Sequence, residues 1–306
     1  MRDETRQRVH LAIEALDYRP NAMARSLRTA RAYTYGLLIP EFENPVYAAI
    51  ISGAEEAAAA RGSLLLAASD GTGGMDVRQH LQLLGQGRVD GLLLAGTLKT
   101  DRAEDLIATL QTPWLLLNRR TADSQRYVIL DDEGAAAMAT EHLLSLGHRE
   151  IAHLAGPVDA DTAERREAGY RLALERAGVA VDDGLIVRAD YRSEHGAEAT
   201  MSLFASGRRP TAVMVANLAS ALGAMHAIKA AGFRIPDDVS VVSIHDLPLA
   251  GYLDPPLTTV RMPLEELGRR GIELLSAVDP AEPIQEVVAG PTELIVRGST
   301  GPPPAG

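Results

Sequence analysis

Apolar residues fall along this chain in two alternating rhythms. Short runs rich in Leu, Ile and Val at 36–39, 63–68, 91–95, 114–118, 127–130, 151–155, 185–189, 212–216 and 239–244 predict β-strands. The stretches between them carry apolar residues at helical spacing, which predicts helices at 46–61, 135–146, 163–177, 193–205, 219–231 and 264–277. Gly62, Gly147, Gly178 and Gly232 stand where those helices should stop, since glycine is favoured just past a helix end. Strands that are apolar throughout and alternate with helices imply parallel sheets covered on both faces, an α/β doubly wound architecture. Two such sheets with a cleft between them place ligands at the carboxyl ends of the strands.

The first thirty residues follow a different pattern. Residues 3–15 read as an amphipathic helix with Val9, Leu11, Ala12 and Ile13 on it, and Asp3 and Glu4 suit its positive N-terminal end. Pro20 breaks the helix. Asn21 can cap a second short one, running to about Arg28 and carrying Ala22, Met23, Ala24 and Leu27. Eight residues are too few for a helix to persist alone in water, so this segment needs a partner to order it.

Composition narrows the picture. A chain of 306 residues can build two compact domains, and 46% hydrophobic with 23% charged residues is ordinary for a soluble globular protein. No secretory leader and no apolar run of membrane-spanning length is present in the sequence, which predicts a cytoplasmic location. The absence of cysteine excludes disulfides and thiolate metal sites. His142, His148 and His153 are the densest histidine group, but they fall across a helix, the Gly147 stop and a strand, so no metal and no cofactor is expected. The net charge is −11, yet residues 1–32 hold seven arginines against four acids, net +3, leaving −14 for the rest. Residues 20–32 carry three arginines and no acid. A basic end on an acidic body suits a protein that touches phosphate at one end only.

Enzymatic signatures are weak. Gly71-Thr72-Gly73-Gly74 follows a strand but lacks the third glycine of a dinucleotide fingerprint and the Lys-Ser/Thr of a phosphate loop. No G-x-S-x-G elbow occurs. Asp131-Asp132-Glu133 reads as a helix start rather than a catalytic cluster. The chain is not expected to be an enzyme.

Tyr18-Arg19-Pro20-Asn21-Ala22-Met23-Ala24-Arg25-Ser26-Leu27-Arg28 resembles the DNA-hinge segment of the lactose-repressor (LacI/GalR) family of transcriptional regulators. The body carries further segments of that family: Tyr35-Gly36-Leu37-Leu38-Ile39-Pro40, Asn44-Pro45, Glu141-His142-Leu143-Leu144, Gly147-His148 and Arg166-Glu167-Ala168-Gly169-Tyr170. Pro236-Asp237-Asp238-Val239-Ser240-Val241-Val242 and Asp254-Pro255-Pro256-Leu257-Thr258-Thr259-Val260 complete the set. The resemblance implies a periplasmic-binding-protein-like type I fold: two doubly wound subdomains joined by three crossovers, dimeric, with an effector in the cleft. By analogy, residues 1–32 are the remnant of a DNA-binding domain and 33–299 the effector and dimerisation domain. Within the latter, one subdomain spans about 33–130 and 263–290, the other about 131–262 and 291–299, and 300–306 (with Ser299, STGPPPAG) is expected to be a disordered tail. In this family paired hinge helices lie in the minor groove, where a leucine wedges between base pairs. Leu27 stands at that leucine's place, with Asn21, Ala24, Arg25 and Arg28 as further DNA contacts. A complete reading head needs two more helices ahead of Met1, one of them in the major groove.

The same resemblance implies an effector site made of Tyr47, Asn118, Arg166, Tyr191, Asn217 and His245. Arg166 matches an arginine that forks onto ligand oxygens, which guanidinium geometry suits. Three positions depart from the family pattern. Asn118 and His245 stand where sugar- and purine-binding members usually carry aspartate, and Leu218 replaces the aspartate after Asn217, which leaves Asn217 to cap the next helix. Fewer carboxylate acceptors beside a retained arginine predict an effector unlike a plain neutral hexose, a sugar derivative with a carboxylate or phosphate. His245 also raises the prospect of pH-sensitive binding near neutrality. Expected partners are therefore operator DNA, a sugar-like effector and a second copy of the chain, with no membrane. The competing expectation is a dimeric ligand sensor that lacks sequence-specific DNA binding.

Overall fold

The computed structural model describes residues 31–69, 77–85, 87–95, 110–277, 279–280 and 282–305, together with Gln7, Leu11, Ala15 and Ile107. The strands are β1 Thr34–Ile39, β2 Leu64–Ser69, β3 Gly91–Leu94, β4 Trp114–Leu117, β5 Arg126–Ile129, β6 Ile151–Ala155, β7 Ile186–Arg188, β8 Ala212–Val215, β9 Ser240–Ile244, β10 Thr258–Arg261, β11 Ile284–Val287 and β12 Glu293–Ile295. The helices among the described residues are α1 Val46–Ala59, α2 Val77–Gly85, α3 Asp132–Ser145, α4 Asp161–Arg176, α5 Ser193–Ala205, α6 Leu218–Ala230 and α7 Leu264–Ala277. Asn21, Ala24, Arg25, Leu27 and Arg28, and the Gly71–Gly74 run, lie outside the described residues.

Two six-stranded sheets result, in the orders β11-β5-β4-β3-β1-β2 and β12-β10-β9-β8-β6-β7. The first is parallel throughout. The second is parallel except where β12 runs antiparallel to β10. The chain crosses from the first sheet to the second between β5 and α3, returns between β10 and α7, and crosses again between β11 and β12. This is the α/β class with two doubly wound subdomains that the alternating pattern predicts.

Burial explains why these runs are strands. Leu37 and Ile39 point into a core shared with α1 and α7, while Leu38 points to the opposite core under α2. In the second sheet Met214 and Val242 face α3 and α4, and Val213, Val215 and Val241 face α5 and α6. Period-two side chains that are apolar on both faces need helices on both sides. The core beneath α1 and α7 runs on into the core beneath α3 and α4 as one cluster, so apolar packing continues through the crossovers. Helices α1 and α7 pack backbone to backbone: a Cβ on Gly53 would stand 1.8 Å from the Glu265 carbonyl oxygen. No side chain fits there.

Helices α5 and α7 have the predicted bounds, and the glycines expected to stop helices all have left-handed backbones. The pattern missed α2, β10, β11 and β12. The three strands have only 3 or 4 residues each, and partners distant in sequence define them. The expected disordered tail is corrected at its start. Ser299 is fully buried and its hydroxyl donates to the Val241 carbonyl at 2.6 Å, while the Gly301 amide donates to the Ser240 hydroxyl at 3.0 Å. Pro and Gly rule out a helix or strand there, but the free backbone groups find partners along the outer end of β9. The Gly301 carbonyl also bonds Nε2 of the buried His148, and Thr300 bonds His142. His153 stacks on Tyr170 and bonds the Met214 carbonyl. His153 Nε2 is left without a hydrogen-bond partner, and no metal-holding group occurs among the described residues.

Candidate effector site

The carboxyl ends of the strands from both sheets converge on one cleft, and the effector residues that the sequence predicts sit on the loops or first two helical turns that follow them. A cavity of about 210 Å³ opens there between Pro40, Asn44 and Tyr47 after β1, Arg119 after β4, and Asp190 and Tyr191 after β7. It adjoins a groove of about 720 Å³ that also touches Arg119, Asp159 and Ala160 and extends past Arg120 and Ser124. Asn44 shapes the β1 end: its side-chain oxygen accepts from the Val46 amide at 3.2 Å, which starts α1 and sets Tyr47 on the wall.

The subdomain-two wall is a hydrogen-bond network centred on Arg166 and Asp132. Arg166, 2% exposed on α4, donates from Nε to Asp132 at 2.7 Å and from Nη1 to the Ala216 carbonyl at 2.9 Å. Its Nη2 meets His245 Nε2 at 3.3 Å, and its guanidinium lies 5.5 Å from the Tyr191 ring centre. Asp132 is fully buried and pairs with Arg165 as well, which reaches on to Asp161 at 2.9 Å. Burial alone would push the Asp132 carboxyl up, yet Arg166 and Arg165 hold it below the usual carboxylate range. For Arg166 burial opposes the charge, and Asp132 outweighs it, so the guanidinium pKa rises. Tyr191 shares a 2.8 Å hydrogen bond with Thr162, and its ring packs so close to Gly156 that a Cβ there would lie 2.4 Å from it. Asn217 uses both ends of its amide: the oxygen caps α6 at the Ser220 amide (2.9 Å) and the nitrogen donates to the Tyr191 carbonyl (3.1 Å). The capping duty expected once Leu218 replaced aspartate is therefore observed.

Elsewhere around the cleft polar atoms lack partners. Asn118 Oδ1, Arg119 Nε and His245 Nδ1 are buried with no hydrogen-bond partner. Asn118 and His245 also hold left-handed backbones, φ 61° and 76°, at the ends of β4 and β9. For histidine that is strain the surrounding fold must impose. Burial, reinforced by Arg166, pushes the His245 imidazole down to about 3, so it stays neutral across physiological pH. That removes the prospect of a His245 titration near neutrality. Arg119 enters none of the ion pairs among the described residues, whereas Arg120 pairs with Asp161 and Arg192 with Glu41. Both of those pairs join one subdomain to the other. Asp159, the carboxylate nearest in chain order to share Arg119's cavity, is exposed to solvent.

The structure thus gathers Arg166, Tyr191, Asn217 and His245 on one wall and sets Tyr47 and Asn118 on the other. Of the six, Tyr47 and Tyr191 line the open cavity. Sequence reasoning missed Asp132, Gly156 and Arg119. Asp132 was visible only as one acid in a capping run, because its partners lie over thirty residues away; Gly156 has no local signature at all.

A family model described as "Periplasmic binding protein-like domain" matches residues 140–300. The ribose operon repressor of Escherichia coli (strain K12) is 35% identical over 88% of this chain and 82% of its own length. Among solved structures, a LacI family transcriptional regulator from Mycobacterium smegmatis superposes with a TM-score of 0.79 at 33% identity, over 88% of this chain and 99% of that one. The lac repressor dimer bound to operator and the anti-inducer ONPF superposes with a TM-score of 0.85 at 28% identity, covering 98% of this chain and 91% of that chain. The chain belongs to the LacI/GalR family of transcriptional regulators. These relatives are repressors and regulators, not enzymes. No helix among the described residues is long and apolar enough to cross a membrane.

Proposed function

From that membership we propose that the chain is a DNA-binding repressor whose operator affinity is set by a small sugar-derived effector held between the subdomains, and that this effector carries an acidic group. The observation that carries the reading is the set of buried, unpartnered atoms Asn118 Oδ1, Arg119 Nε and His245 Nδ1 around one cleft. A buried polar atom without a partner costs about 1–3 kcal/mol; Arg119 lines the cavity and Asn118 and His245 stand just past β4 and β9, so the three mark hydrogen bonds a ligand would complete. Arg119 supplies the cation: half-buried and without a carboxylate partner among the described residues, it suits a carboxylate or phosphate on the ligand. Tyr47 and Tyr191 pack on the sugar ring, and Asn118 and His245 bond its hydroxyls. Arg166 orders the second wall from behind.

Effector binding changes how the two subdomains meet, which shifts the balance between the Glu41–Arg192 and Arg120–Asp161 contacts and their open alternatives. Asn21, Ala24, Arg25, Leu27 and Arg28 make the DNA contact from a dimer. Support for the dimer comes from apolar side chains that a second copy would cover, Leu64 (73% exposed) on the edge strand β2 and Tyr252 (87% exposed) in subdomain two. Calorimetry with ribose 5-phosphate and gluconate against ribose and glucose tests the effector class. Acid or phosphate forms should bind at least about tenfold tighter, the worth of one charge-assisted hydrogen bond. Tight binding of a neutral sugar alone overturns the acidic-effector reading.

A further inference from the structure

Subdomain one has a second polar construction, at the opposite end of its sheet from the cleft. The amino ends of β1, β2 and β3 meet there, and the chain enters the core through residues 31–33. The Asp90 carboxylate takes both incoming amides: Oδ1 accepts from Ala32 at 2.6 Å and Oδ2 from Tyr33 at 2.7 Å. Asp90 is itself tied into the sheet, because its own amide donates to the Thr34 carbonyl at 2.7 Å. The Tyr33 carbonyl accepts from the Leu64 amide at 2.9 Å, so residue 33 is held from β2 and from β3 at once. Tyr33 has a left-handed backbone, φ 54°, which bends the chain sharply just before β1. A tyrosine adopts that conformation only under outside constraint. Arg31 closes the corner, its guanidinium 5.3 Å from the Tyr33 ring centre.

We infer that Asp90 is a positioning residue that fixes the direction in which the basic N-terminal segment leaves subdomain one. A carboxylate is suited to this: it presents two acceptors in one plane to two successive amides, and it has no donor to compete. A free linker at residues 31–33 would let the segment point anywhere, and movement of subdomain one would be lost in slack. With the clamp closed, a rotation of β1 turns the exit vector with it. The proposal rests on the repressor reading for its purpose and on the hydrogen bonds alone for its mechanics.

The test is limited trypsinolysis of the full chain and its Asp90→Asn and Asp90→Ala variants. Intact-fragment mass spectrometry then compares the core fragment beginning at Ala32 with the one beginning at Thr29. Cutting the Arg31–Ala32 bond requires the clamped amides to be freed, whereas the Arg28–Thr29 bond precedes them. The ratio of the Ala32 to the Thr29 fragment should rise at least about tenfold in Asp90→Ala and by less in Asp90→Asn, which keeps one acceptor. The melting temperature should fall by no more than a few degrees, whereas a general loss of structure would lower it far more. A second arm measures retention of a labelled 30-base-pair duplex at low salt, expected to weaken several-fold in Asp90→Ala. An unchanged fragment ratio overturns the clamp. A raised ratio with unchanged DNA retention overturns the positioning role. If the unaltered chain retains no DNA, DNA contact by residues 21–28 on their own fails instead, and the fragment ratio still decides the clamp.

Discussion

The two walls of the cleft are built differently. On the subdomain-two wall Asp132, Arg166, the Ala216 carbonyl, Asn217, Thr162 and Tyr191 satisfy one another, and His245 Nε2 joins them. On the subdomain-one wall Asn118 Oδ1 and Arg119 Nε are buried without partners. The first wall is a preorganised template, whose side chains hold their positions by their own bonding, with His245 Nδ1 as its one unpartnered buried atom among the described residues. The second presents unsatisfied groups, so its position depends on what lies across the cleft. A two-state sensor needs this asymmetry: one rigid face to read shape, and one whose free energy changes when a ligand arrives.

The contrast is most severely tested at Arg166. Replacing it by alanine leaves the fully buried Asp132 short of a partner, and breaking one member of a buried pair costs about 3–5 kcal/mol. Urea denaturation should show a loss of that size; a loss below about 1 kcal/mol would mean the second wall is not held by this pair.

Acid provides the next largest effect. His245 and His153 are buried and neutral, with pKa values pushed by burial to about 3 and about 4. Below the unfolded value of 6.5 the unfolded chain takes protons that the folded chain refuses. Stability is therefore intact above 6.5 and falls as pH drops toward 4, by about 2 kcal/mol per histidine at pH 5, at roughly 1.4 kcal/mol per pH unit. Urea midpoints at pH 7 and pH 5 measure it, and equal midpoints would place both imidazoles in contact with water. Effector affinity should stay flat between pH 6 and pH 8, since His245 does not titrate there.

Arg119→Gln sharpens the contrast from the other side. It should leave stability within about 0.5 kcal/mol and remove the preference for acidic over neutral sugars by about tenfold in calorimetry. A fall in stability equal to that of Arg166→Ala would make the two walls alike. Glu41→Gln gives the smallest effect. The Glu41–Arg192 pair spans the cleft mouth at 2.8 Å with Arg192 40% exposed, and such pairs contribute at most about 1 kcal/mol. Its urea midpoint should barely move, and a larger shift would mark that pair as the latch that holds the cleft shut.

Much of this was legible from residue order. The apolar runs marked β1 to β9, and the family resemblance placed Tyr47, Asn118, Tyr191, Asn217 and His245 close after strand ends and Arg166 on α4. The substitution of Leu218 for aspartate correctly shifted the cap of α6 to Asn217. Other features left no trace. The 3-residue strand β12 exists because β10 is there to pair with it. Asp132 read as part of a helix start, a role that Asp131 fills by accepting from the Gly134 amide. The proline-rich tail read as disorder because its order comes from Ser240, Val241 and His148, all distant in sequence.

Sequence by itself determined the α/β alternation, the helix stops, the basic N-terminal end and the family, because period, glycine placement and local charge are properties of neighbours along the chain. Tertiary structure alone decided that Asp132 is a buried counter-ion, that Arg119 enters no ion pair among the described residues, that His245 is neutral on a strained backbone, and that Asp90 holds the chain's entry. Each of these depends on which groups are excluded from water together, and burial is set by residues that meet only after the sheets have formed.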